Sequence, residues 1–243
     1  MTQAAADASR GAFDRVVVCG GDGTLHLSVR EFDLVNGTLA LIPLGSGDDF
    51  ANVLGIPRDL RAACELALGG RAREVDVAVA NGIRYLGVAG LGFDSEVARY
   101  ANESVKFLRG SLVYFYAILR VLPRFRPHRV TIDGNRNAEI MFAAVGNSGQ
   151  YGGGVRITPG AKIDDRQLDL CIVHRSSRMQ LLKTLPKAYS GAHVKSSFVE
   201  MVRGTEFTFG SERPLDVYAD GERITMTPVR FGLAEERLKI VAP

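Results

Sequence analysis

Only three cysteines occur in the 243 residues, an odd number and without a CxxC pair. Cys19, Cys64 and Cys171 stand far apart in apolar surroundings, which fits reduced, buried thiols in a cytoplasmic protein better than a disulfide framework. Also missing is any apolar run near the roughly 18 residues that a spanning helix needs. The first stretch, MTQAAADASRGAFDR, has neither the basic nor the apolar segment of a secretory signal. Net charge is small: 30 Lys and Arg against 27 Asp and Glu leave +3, too little to imply nucleic-acid binding. His128, His174 and His193 show no metal-ligand spacing, so no zinc site is expected. Low-complexity segments and fixed-period repeats are absent. Acid is absent locally as well: between Glu103 and Asp133 there is none, while Lys106, Arg109, Arg120, Arg124, Arg126 and Arg129 fall in the gap.

What is present divides by texture. RVVVCGGDGTLHLSV, from Arg15 to Val29, runs a β-branched strand into three glycines and then a helix whose Leu25, Val29 and Phe32 share one face. Glycine allows a tight turn or close approach of another group to the backbone, and either reading fits Gly20, Gly21 and Gly23. TLALIPLG is a continuous apolar run of the kind buried on both faces of a parallel sheet. A short helix follows, with Asp48 and Asp49 in its first turn and a stop at Gly55. Asp59 caps the next, whose Leu60, Cys64 and Leu68 share a face. From about residue 73 short strands take over, with hairpin signals at Asn81-Gly82, Asp133-Gly134 and Asp220-Gly221. Helices are expected over 105–122, with Leu108, Leu112, Tyr116 and Leu119 on one face, and over 178–189. The fold class is therefore α/β plus all-β, with a boundary near residue 80.

The ordered blocks GGDGT, PLGSGDDFANVLGIP, VAGLGFDSEVA, GNSGQYGGGVRITPGAKIDDRQLDL and DGE resemble the bacterial diacylglycerol kinase and sphingosine kinase-like lipid kinases over nearly the whole chain. The resemblance implies a Rossmann-like nucleotide domain, residues 1–80 with 231–243 returning to it, and a β-sandwich substrate domain over 81–230. It also implies phosphoryl transfer from ATP, with Mg²⁺, to a lipid hydroxyl in the cleft between them. Backbone N–H groups from Gly20 to Thr24 would face the phosphates at a helix start, with Leu25, His26 and Ser46 on the nucleotide side. Asp22, a carboxylate among phosphates, would hold Mg²⁺; as a purely structural residue it would cap a helix. Glu222 inherits the role of general base, against the plain reading of DGE as a hairpin turn. A second, structural Mg²⁺ would take the Asp165 carboxylate and the carbonyls of Lys162 and Gln167.

Three positions depart from the family pattern. His26 and Asp48 stand where asparagine is usual, and Arg166 where glycine is usual; if that glycine has positive φ, arginine strains the loop and brings its cation near the metal. Family members also carry around fifty residues before this point, with an NPxSG-type phosphate loop that nothing here matches. That implies weak ATP turnover by this chain alone and an open sheet edge favouring homo-oligomers. The acid-free segment, SLVYFYAILRVL followed by PRFRPHR, reads either as a core helix with a solvated arginine face or as a peripheral membrane contact. A soluble-substrate kinase and a silent binding protein remain as alternatives.

Overall fold

The computed structural model describes residues 2–11, 13–104 and 111–243. The chain begins with α1 (Thr2–Arg10), β1 (Val16–Gly20), α2 (Asp22–Val29), β2 (Thr38–Pro43), α3 (Asp49–Leu54), α4 (Leu60–Gly69) and β3 (Arg71–Val75). It continues with β4 (Ala78–Ala80), β5 (Ile83–Tyr85), β6 (Val88–Gly92), α5 (Phe93–Ser104), α6 (Ser111–Val121), β7 (His128–Ile132) and β8 (Arg136–Gly146). Last come β9 (Leu168–His174), α7 (Arg178–Ala188), β10 (Val199–Gly204), β11 (Phe207–Ser211), β12 (Asp216–Ala219), β13 (Glu222–Met226), β14 (Val229–Leu233) and β15 (Leu238–Ala242).

The smaller sheet has the order β1-β2-β15-β3, with β2 parallel to both β1 and β15, and β3 antiparallel to β15. Strand alternation sends Leu39 and Leu41 of β2 into one core with Leu25, Val29 and Phe32. Ala40 and Ile42 go to the other face, against Ala63 and Ala67 of α4. This two-sided burial is why β2 reads as an unbroken apolar run. On α4 the stripe of larger residues faces outward, with Leu60 and Leu68 exposed, because small alanines let the helix lie close to the sheet. Asp59 caps α4 by accepting the Ala62 N–H at 2.9 Å.

The larger sheet is antiparallel throughout, ordered β13-β12-β6-β8-β7-β11-β14-β4-β5, with β9 and β10 continuing from β8. It folds into a sandwich around Tyr85, Leu91, Ile132, Val145, Phe209 and Phe231. Its three Asx-Gly turns hold both residues at positive φ: 48° and 81° at Asn81-Gly82, 50° and 74° at Asp133-Gly134, 50° and 89° at Asp220-Gly221. That is the geometry that matches strand twist in hairpins; the loops at Asn81-Gly82 and Asp220-Gly221 have two residues, and the one at Asp133-Gly134 includes Asn135 as a third. Residues 231–233 belong to β14 of this sheet; the segment that returns to the smaller one is Leu238–Ala242.

The expectation of buried cysteines needs correction. Cys19 is exposed, because β1 is an edge strand, and Cys64 is only half-buried; Cys171 alone is buried, which pushes its thiol up to about 12. The helix expected over 105–122 is described from Ser111, so Val105 to Gly110, with Lys106, Leu108 and Arg109, lie outside the described residues. On α6 the face marked by Leu112 and Leu119 is turned outward: both are exposed together with Phe115, while Ala117 is fully buried and Ile118 packs beside it. A helix apolar all round gives no periodicity from which to choose its buried side.

Candidate active site

The two glycine loops touch each other. A Cβ built on Gly21 would lie 2.9 Å from Gly45 Cα, and one built on Gly45 only 2.6 Å from Gly21 Cα. Their bareness therefore brings two backbones together before any ligand is considered. Leu44 N–H donates to Gly20 O at 3.1 Å and fixes the register between them. The first helical bond of α2 is Leu25 N–H to Gly21 O at 3.0 Å. The N–H groups of Asp22, Gly23 and Thr24 precede it, at the positive end of the helix dipole, where an anion can accept them. A Cβ on Gly23 would meet no atom within 4 Å, so that stretch of backbone stands clear.

Four carboxylates brace the loops and their neighbours through backbone N–H groups. Asp22 accepts from Asp49 N–H at 3.0 Å and Phe50 N–H at 3.1 Å, capping α3 from another element. The Asp48 side chain is occupied with Gly45 N–H at 2.9 Å, and its backbone adopts φ 51°, a conformation Asp tolerates better than most residues. Asp49 in turn accepts from Gly153 and Gly154 N–H, both at 2.7 Å, tying the smaller lobe to the larger. Asp220, in the β12–β13 turn, accepts from Leu86, Gly87 and Val88 N–H at 3.0, 3.0 and 3.2 Å. Its Oδ2 also lies 3.3 Å from His26 Nδ1, joining the hairpin to α2. Burial raises the pKa of Asp22 above the ordinary range. The two N–H bonds counter this, while the charges of Asp49 and Asp220 add to it.

These groups form one end of a cavity of about 800 Å³ that continues between α5, α6 and α7, past Val97, Ile118, Phe142, Val173 and Leu181. At the junction, Asp94 accepts a hydrogen bond from the Tyr151 hydroxyl at 2.7 Å, and burial raises its pKa to about 6. The Tyr114 phenol is also raised, by burial first and then by the charges of Asp94, Glu222, Asp49 and Asp22. Among the described residues lining this cavity there is no lysine or arginine.

Of the expected nucleotide residues, Gly21, Asp22, Gly23, Leu25, His26 and Ser46 border the cavity. Gly20 and Thr24 are not among its lining residues; the Thr24 side chain packs over Gly20, where a Cβ would come within 2.5 Å of Thr24 Oγ1. Glu222 is exposed at the start of β13 and does not line the cavity, although its charge reaches Tyr114; the same hairpin contributes Asp220 and Gly221 to the lining. Lys162, Asp165 and Gln167 lie apart, in the turn before β9. There Arg166 holds φ 59°, a conformation that costs a residue with a Cβ roughly 1–2 kcal/mol. Sequence reading gave no role to Asp94, Tyr151 or Asp49. Asp49 read as an ordinary first-turn acid, and only the blocks VAGLGFDSEVA and GNSGQYGGG marked the neighbourhood of Asp94 and Tyr151.

Two glycine loops at a helix start, facing a sandwich across a cleft that runs from polar to apolar, define a two-lobed phosphotransferase of the kinase type. Residues 1–80 match the diacylglycerol kinase catalytic domain, and residues 87–242 match the YegS C-terminal NAD kinase beta sandwich-like domain. A diacylglycerol kinase of Bacillus subtilis is 29% identical over all of this chain and 82% of its own length. One of Mycobacterium tuberculosis is 33% identical over 95% of this chain and 77% of its own. A solved Bacillus anthracis structure, described provisionally as a diacylglycerol kinase, superposes with a TM-score of 0.83 at 26% identity, covering 100% of this chain and 82% of that one. The chain belongs to the diacylglycerol kinase and YegS-like lipid kinase family.

Proposed function

We propose that this chain transfers the γ-phosphoryl group of ATP to the hydroxyl of a membrane lipid, diacylglycerol-like or sphingoid. The observation that carries the reading is the single cavity in which free helix-start N–H groups and an apolar channel share one space. Phosphoryl transfer asks a protein mainly for positioning and charge neutralisation. Here the N–H groups of Asp22 and Gly23 take the phosphates, and the channel takes the acyl or alkyl chain. A polyphosphate beside Asp22 and Asp49 needs a cation, and no lysine or arginine among the described lining residues supplies one. No three His, Cys, Asp or Glu side chains converge among the described residues. Mg²⁺ suits such a site, since it commonly takes one or two carboxylates and completes its shell with phosphate oxygens and water; Asp22 and Asp49 are the residues that would hold it. Its contribution when bound is neutralisation of the phosphate charge.

Glu222 is proposed as the base that accepts the proton of the lipid hydroxyl, from its exposed position beside the cavity. The outward Leu112, Phe115 and Leu119 of α6, with exposed Arg124 and Arg126 beyond, form the surface that meets an anionic leaflet. No described helix is long and apolar enough to cross a membrane. The test is incubation with radiolabelled ATP, Mg²⁺ and a mixed lipid extract. Labelled lipid is expected from the native chain, with a loss of about 10²-fold or more for Glu222→Gln and little change in ATP binding. A label that appears only on water-soluble acceptors, or equal losses of turnover and ATP binding in the variant, would contradict the reading.

A further inference from the structure

We propose that the acidic turn before β9, where the family resemblance implies a structural metal, is neutralised in this chain by arginines and takes no divalent ion. Each carboxylate there already faces a guanidinium. Asp165 Oδ2 lies 3.6 Å from Arg203 Nη1, and Asp165 Oδ1 accepts the Gln167 N–H at 3.1 Å. Asp164 pairs with Arg73 at 2.9 Å, and Asp169 with Arg203 at 3.1 Å. Asp76, fully buried on the connection from β3 to β4, lies 2.9 Å from Arg237 Nε and 3.7 Å from Arg166 Nη1. A divalent ion bound by Asp165 would meet the Arg203 charge at once, and the single side-chain ligand expected for it is already matched. The donor set therefore does not fit the ion.

Arg166 makes the arrangement particular to this chain. Its positive φ retains the bend that a glycine would supply, while its N–H donates to Asp76 Oδ2 at 2.6 Å and its guanidinium to Ala234 O at 2.9 Å. Arg237 donates to Asp164 O at 3.1 Å. The turn is thereby joined to both connections between the sheets, residues 76–77 and 234–237. Ion pairs that are partly exposed weaken with salt, whereas a metal site responds to chelator. The clamp therefore predicts which of the two treatments loosens the lobes.

Thermal unfolding of the full chain without nucleotide separates the possibilities. With arginines in place, the midpoint is the same in EDTA and in millimolar Mg²⁺, and it falls as NaCl rises. Arg203→Met lowers the midpoint and flattens its dependence on NaCl; if that variant does not fold, Arg203→Gln, which removes the charge but keeps polar donors, takes its place. Asp165→Asn locates any Mg²⁺ effect. A Mg²⁺ response present in the native chain and lost in Asp165→Asn overturns the proposal, as does an Arg203 variant with unchanged midpoint and salt dependence. A response equal in the native chain and Asp165→Asn excludes Asp165 as its source and supports the clamp.

Discussion

Replacing Asp94 by asparagine should make the protein more stable above neutral pH. Asp94 is packed at the junction of the cavity's polar and apolar ends, and burial raises its carboxyl from 3.8 to about 6. A carboxyl with a raised native pKa is stabilising while protonated, and that contribution is lost as pH rises through the native value. At about 1.4 kcal/mol per pKa unit, the displacement corresponds to a penalty of at most about 3 kcal/mol once ionised. Asp94 lines the cavity, so water admitted there reduces the figure, and about 1–3 kcal/mol is expected. Asparagine is nearly isosteric, keeps an acceptor for the Tyr151 hydroxyl and carries no charge. The stability difference between Asp94→Asn and the native chain should be near zero at pH 4 and grow between pH 4 and 6. It should level off at about 1–3 kcal/mol above pH 7, read from urea midpoints with unchanged m values. Turnover is expected to fall at the same time, because strongly perturbed carboxylates in clefts cluster at functional sites. A flat difference across this pH range would falsify the assignment of Asp94 as a destabilised buried carboxyl.

Gly45→Ala should cost about 1–3 kcal/mol, because its Cβ would meet Gly21 Cα and Asp48 Oδ1, both at 2.6 Å, and should weaken nucleotide binding by parting the loops; calorimetry with a non-hydrolysable ATP analogue checks both effects. Asp59→Ala should cost about 1 kcal/mol through the lost cap on α4 and leave turnover unchanged, a control distant from the cleft. Leu112→Ser combined with Phe115→Ser should reduce sedimentation with anionic vesicles while leaving the unfolding midpoint within about 0.5 kcal/mol of native, since both side chains are exposed.

The sequence was most readable where one local rule decides the outcome. Asx-Gly pairs between apolar runs marked three hairpins because positive φ at both positions admits few other residues. The buried run at β2 declared a strand covered on both faces. Sidedness was harder: α6 is apolar all round, and α4 buries alanines instead of leucines, so hydrophobicity alone did not tell which side is buried. Much of the polar site arises from contacts between distant segments. Nothing local to Asp22 indicates that it caps α3, or that Asp49 reaches Gly153 and Gly154. Only the ordered blocks, read as a family resemblance, brought these segments to one place.

The position of β15 has a consequence for how the molecule is made. Among the described residues β2 and β3 do not pair directly; the strand that joins them leaves the ribosome after every strand of the sandwich. The first lobe must therefore wait, its hydrogen-bonding edge open, while the entire sandwich is synthesised and folds behind it. A ribosome stalled before Leu238 would leave a finished second lobe tethered to an unclosed first one, a species for chaperones or proteases to recognise.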